Sequence, residues 1–126
     1  EEYSPKQIQY HINSAKDQGL RYHQIEETDD FSHELNKIYG KYQELCDKEG
    51  VVDFGELLLR CYELLKLNQV LRKHYQTRFK HILVDEFQDT NILQLEIIKV
   101  LENLSLNLQI DNDMKTLQVY FLKNLK

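Results

Sequence analysis

The sequence is poor in everything that interrupts a helix. One proline and four glycines stand among 126 residues, so long stretches are free to run helical. Cysteine is as scarce. Cys46 and Cys61 are too few for a disulfide framework and lack the C-x-x-C spacing of a zinc site, which points to a reducing, cytoplasmic setting. Apolar runs such as Leu57 to Leu59 fall far short of the roughly 18 residues that span a bilayer, so no membrane partner is expected. No charged leader with an apolar run behind it opens the chain. It begins at Glu1 directly before a helix start, which suggests a piece of a longer protein. What is present is a mixture typical of a folded chain: 29% charged and 41% hydrophobic residues with net charge −5. That balance excludes a disordered tail and fits one domain or part of one.

Helix starts are well marked. Ser4-Pro5-Lys6-Gln7 forms a capping box with proline at the first helical position, and Ile8, Ile12 and Ala15 follow at helical spacing until Gly19 stops the helix. Residues 20–30 read as a polar loop ending in Glu26, Glu27, Asp29 and Asp30. A second helix carries Phe31, Leu35, Ile38, Tyr39, Tyr42, Leu45 and Cys46 on one stripe and ends at Gly50. Asp53 and Glu56 suggest another capping box, opening a helix expected to turn Phe54, Leu57, Leu58, Cys61 and Leu65 inward. Asn68 caps a short helix to about Thr77, and Asn91 caps one bearing Leu93, Ile97, Val100 and Leu101. Between them His81-Ile82-Leu83-Val84 is apolar and β-prone, the pattern of a buried parallel strand. From Asn103 the tail turns Leu-, Asn- and Lys-rich, and Leu104, Leu106, Leu108 and Ile110 alternate with polar residues.

The chemistry concentrates in Ile82-Leu83-Val84-Asp85-Glu86-Phe87-Gln88-Asp89-Thr90. A buried strand that delivers acids to its carboxyl end is how nucleotide-hydrolysing α/β sheets hold hydrated Mg²⁺ and activate water. A plain strand followed by an acidic turn fits the apolar run and the Asp-Glu pair equally well; Gln88 and Asp89 favour the functional reading. Other candidates fall away. Gly50 and Gly55 have phosphate-loop spacing, but Glu56-Leu57 replaces the Lys-Ser/Thr that grips phosphate. Asp111 and Asp113 lack the glycine and glutamate of a calcium loop, and the five histidines show no paired ligand spacing. Lys66, Arg72, Lys73, Arg78 and Lys80 form a run without acids that suits either a phosphate backbone or a solvated face.

The heptad Asp85-Glu86-Phe87-Gln88-Asp89-Thr90-Asn91 resembles the Walker B motif of UvrD/Rep/PcrA-type superfamily 1 DNA helicases. Ile12-Asn13-Ser14-Ala15-Lys16, Tyr42-Gln43-Glu44, Val52-Asp53-Phe54-Gly55-Glu56-Leu57-Leu58 and His74-Tyr75 through Phe79 fall in the family's order and spacing, from about residue 5 to 101. The resemblance implies an α/β protein, here a predominantly helical fragment. Residues 1–70 would be a helical accessory (1B-like) segment. Residues 71–102 would be part of a RecA-like P-loop NTPase motor (1A-like) with one clear strand at about 80–85. Residues 103–126 do not match the family's next motif, and the expectation is a truncated or out-of-frame tail.

By the same resemblance Asp85 would hold Mg²⁺ through water, with Glu86 beside it as general base. Gln88 would sense the γ-phosphate, Asp89 would support that network, and Asp53 and Phe54 would lie beside single-stranded DNA. Periodicity alone makes Phe54 a core or staple residue. The parent would be an ATP-dependent 3′→5′ helicase in repair or replication, using ATP and Mg²⁺ and acting on single-stranded and duplex DNA together with the remainder of the enzyme. With no G-x-x-x-x-G-K-[ST] in the chain, this piece alone is expected not to bind ATP productively or hydrolyse it. The alternative is a non-catalytic helical module that binds single-stranded DNA or a partner.

Overall fold

The computed structural model describes residues 3–79, 82 and 84–102. Five α-helices occupy most of them: α1 (Pro5–Asp17), α2 (Asp30–Glu49), α3 (Phe54–Leu67), α4 (Gln69–Arg78) and α5 (Ile92–Glu102). Single 3₁₀ turns lie at Tyr22–Gln24 and Phe87–Asp89. The chain divides into two compact units, Glu1–Arg60 and Cys61–Lys126, with the division falling inside α3. No described helix is long and apolar enough to cross a membrane.

The helix boundaries follow from side-chain oxygens that satisfy the first orphan amides. Ser4 and Gln7 exchange bonds across the first turn of α1, and Asp29 and Ser32 do the same at α2. Asp53 Oδ1 accepts from the Glu56 amide at 2.7 Å, Asn68 from Leu71 at 3.0 Å, and Asn91 and Gln94 cap α5 reciprocally. At the other end, Gly50 closes α2 with φ 67°, a left-handed conformation that a Cβ disfavours.

In the first unit α1 packs on α2, and the turn Tyr22–Gln24 lies against α2. Ile12, Ala15 and Tyr39 form the buried nucleus, with Ile8, Leu20, Ile25 and Tyr42 around it. The Tyr39 hydroxyl donates to the Leu20 carbonyl at 3.1 Å, so its burial leaves no orphan donor. Tyr22 meets Tyr39 edge to face, and its ring sits 3.3 Å from where a Cβ on Gly40 would stand. In the second unit α4 packs on α5, Gln76 Nε2 donates to the Val100 carbonyl at 2.7 Å, and Leu93 and Leu95 are buried. Arg72 closes the end of α3 by donating to the carbonyls of Leu65 and Lys66.

Three expectations need correction. The inward face of α3 is Glu56, Leu59 and Leu65; Phe54, Leu57 and Cys61 are exposed, while Leu58 is half-buried. Leu57, Leu58 and Leu59 cover about 200° of the helix wheel, so apolarity alone cannot choose the buried side. On α2, likewise, Phe31 and Leu45 face solvent and the polar Asn36 and Gln43 are buried. The strand expected at about 80–85 is not found among the described residues: Ile82 and Val84 are half-buried and belong to no strand, and Lys80, His81 and Leu83 lie outside them. A strand is stabilised by a neighbour's ladder, and the described residues contain no neighbouring strand.

Candidate functional site

Three segments far apart in sequence meet around one buried ammonium. Lys16, in the last turn of α1, is 1% exposed. Its Nζ lies 2.8 Å from Asp53 Oδ2 and 2.8 Å from Glu56 Oε2, both in the opening turn of α3. It also donates to Gln43 Oε1 of α2 at 3.2 Å and sits over the Tyr39 and Tyr42 rings. Glu56, equally buried at 1%, is shared. Arg21 Nη1 reaches its Oε2 at 2.8 Å and Arg60 Nε its Oε1 at 2.9 Å. Arg60 continues to Asp47, which also accepts from Gln43 Nε2. Three cations therefore face three carboxylates, and the cluster is neutral. Burying charge is costly unless each is paired and hydrogen-bonded, and here each is.

The electrostatics follow from these contacts. Burial pushes the Asp53 carboxyl up, but the Lys16 ammonium, the Tyr42 hydroxyl at 2.8 Å and the Glu56 amide outweigh it and hold it below its ordinary range. Burial likewise opposes ionisation of Glu56, and Lys16, Arg21 and Arg60 together reverse it. Burial and the adjacent Asp53 carboxylate push the Tyr42 phenol up, so it stays a donor.

This cluster frames Phe54. Asp53 on one side and Glu56 on the other are anchored, and the intervening ring is 83% exposed. The core and staple placements expected from periodicity therefore fail; the ring projects outward from the first turn of α3. Gly55 lies flat on the Lys16 stem, where an added Cβ would touch Lys16 Cβ and Cδ at 3.4 Å. Asp53 thus fills three roles: helix cap, partner of Lys16 and partner of Tyr42.

In the second unit, the acids singled out by sequence lie on a turn. Asp85, Glu86, Gln88 and Asp89 are all exposed, and Phe87 is half-buried. Asp85 Oδ1 accepts from the Glu86 amide at 2.9 Å. Glu86 takes φ 48°, the left-handed region, the one non-glycine residue to do so among those described. Such a conformation costs about 1–2 kcal/mol without glycine. It turns the chain sharply between Asp85 and the 3₁₀ turn Phe87–Asp89. No group of three or more metal-ligating side chains occurs among the described residues.

Sequence reasoning missed the network behind Phe54: Lys16, Arg21, Gln43 and Arg60. One signal was available. Lys16 follows Ile8 and Ile12 at four-residue steps, so a cation occupies the inward stripe of α1. A lysine there requires a buried carboxylate, and Asp53 and Glu56 supply two.

Comparison with known proteins finds similarity to DNA helicases. A family model described as UvrD/REP helicase N-terminal domain matches residues 1–115, extending past Leu101 into the tail. The chain is 51% identical over 100 residues to DNA helicase II of Haemophilus influenzae and 46% identical over 101 residues to DNA helicase II of Escherichia coli. It is 30% identical over 104 residues to the ATP-dependent DNA helicase UvrD1 of Mycobacterium tuberculosis. Each match covers 79% of this chain but 14% of the relative, so the chain spans about a seventh of their length.

Proposed function

Because this chain belongs to the UvrD/REP helicase N-terminal domain family, we propose that it carries two working surfaces of an ATP-dependent 3′→5′ DNA helicase. Its part in that enzyme is to contact single-stranded DNA at Asp53-Phe54 and to present acids to a bound nucleotide at Asp85-Glu86. The observation that carries the first surface is the exposed Phe54 ring between two anchored acids. A planar ring held out of a rigid turn offers a stacking face, worth about 1–3 kcal/mol per base. The parent protein would act in repair or replication.

The acidic turn suits a hydrated divalent cation. Mg²⁺ keeps most of its waters and takes one or two carboxylates, so three protein ligands are not required. Asp85 is exposed and commits Oδ1 to the Glu86 amide, which leaves Oδ2 for a metal-bound water. The cation would neutralise phosphate charge when bound. Glu86 would accept the proton of the water that attacks the γ-phosphate, Gln88 would orient that water, and Asp89 would support the same contacts. The 1A-like strand at about 80–85 belongs to this reading too: it would form when paired in a complete RecA-like sheet.

The test is titration of a fluorescent oligothymidylate with the full chain. Salt-sensitive binding, weakened about tenfold by Phe54→Ala, is the expected outcome. An affinity that Phe54→Ala leaves unaltered overturns the single-strand surface. A folded chain with no affinity for oligothymidylate overturns it as well.

A further inference from the structure

We infer that Lys16 is a positioning residue for Phe54: its buried ammonium and stem lock the first turn of α3 so that the ring stands outward, ready to stack on a base. The inference rests on the single-strand reading above and adds to it the device that prepares the surface.

Every backbone neighbour of the ring is tied to Lys16. Asp53, immediately before it, takes the ammonium on Oδ2 at 2.8 Å while its Oδ1 caps the helix. Gly55, immediately after it, rests on the lysine stem. Glu56, next in the turn, takes the ammonium at 2.8 Å. Phe54 itself is 83% exposed, so that turn sets where its Cα–Cβ bond leaves the helix, and the ring beyond it turns about its own bonds. The three donor hydrogens of an ammonium match the three acceptors present, Asp53, Glu56 and Gln43. A backbone turn fixed before binding loses less freedom when a base stacks on the ring it carries, and the gain appears as affinity.

The chain contains no tryptophan, so Phe54→Trp installs a single reporter at the position in question. The experiment compares its fluorescence anisotropy without DNA, and its quenching by oligothymidylate, in the full chain with and without Lys16→Met. With Lys16 present, the indole is expected to show a higher anisotropy than without it, because the backbone that carries it is fixed, and to be quenched on binding. With Lys16→Met, and helical circular dichroism retained, its anisotropy is expected to drop and oligothymidylate affinity to weaken about tenfold. Lys16→Arg, which keeps a cation and donors, restores both. In a Phe54→Ala background, Lys16→Met weakens binding no further, because the lysine acts through the ring.

If Lys16→Met alone unfolds the chain, Lys16→Met with Glu56→Gln removes one buried charge of each sign, and its comparison with Glu56→Gln alone reports the lysine. Unchanged anisotropy in a folded chain lacking Lys16 overturns the inference. An indole that oligothymidylate fails to quench or bind overturns the single-strand reading while the anisotropy comparison still decides the role of Lys16.

Discussion

Lys16 and Glu56 are charged residues whose loss should destabilise the first unit. Each is buried, and each pairs with two or more opposite charges. Removing one partner leaves the others desolvated and uncompensated, which costs about 3–5 kcal/mol. Glu56→Ala should therefore lower stability by about that amount, read as a shift in the urea midpoint with an unchanged slope. The same carboxylates give stability a pH dependence. The folded state holds Asp53 and Glu56 below their ordinary values of 3.8 and 4.5. Near those values the unfolded chain binds more protons, so stability rises with pH there. The contribution is complete above about pH 5 and is lost as the pH falls through the depressed folded values. Thermal melts between pH 7 and pH 3 should show a decline confined to the acid side, shallower in Glu56→Gln. A melting temperature flat to pH 3 would contradict the pairing described.

At the scale of elements, stability depends on how helices begin and end. Gly50 closes α2 at φ 67° with open space where a Cβ would stand, so Gly50→Ala carries a conformational penalty without a clash. About 1 kcal/mol of destabilisation is expected, with Gly50→Asn costing less because asparagine visits the left-handed region more readily. Asn68→Ala should cost about 1 kcal/mol by freeing the Leu71 amide that the side chain now satisfies. Chemical denaturation of the three variants measures both. These termini were legible in sequence because a cap is a local contract between residues three apart. The exposed side of α3 was not. Phe54, Leu57, Cys61 and Leu64 form an apolar series at helical spacing, yet all are exposed, while the charged Glu56 is buried among its ion partners. Periodicity detects that a helix is amphipathic; with apolar residues on several sides, it cannot say which side is buried.

For the whole molecule, the candidate acids have no G-x-x-x-x-G-K-[ST] beside them within these 126 residues. Backbone amides and a lysine must hold the triphosphate before acids can act on it. Incubated with ATP, Mg²⁺ and single-stranded DNA, the 126-residue chain is expected to release no phosphate above background; DNA-stimulated turnover abolished by Glu86→Gln would refute this. The sequence by itself determined the family, the helix boundaries and the candidate acids, because these are written in short motifs and in contacts between near neighbours. Only the tertiary structure decided that Phe54 is exposed and not buried, and that Lys16, Asp53 and Glu56 meet in one cluster. A buried charge must find its counter-charges wherever the fold brings them. In this chain they come from positions 37 and 40 residues further along, a separation that helical periodicity does not reach.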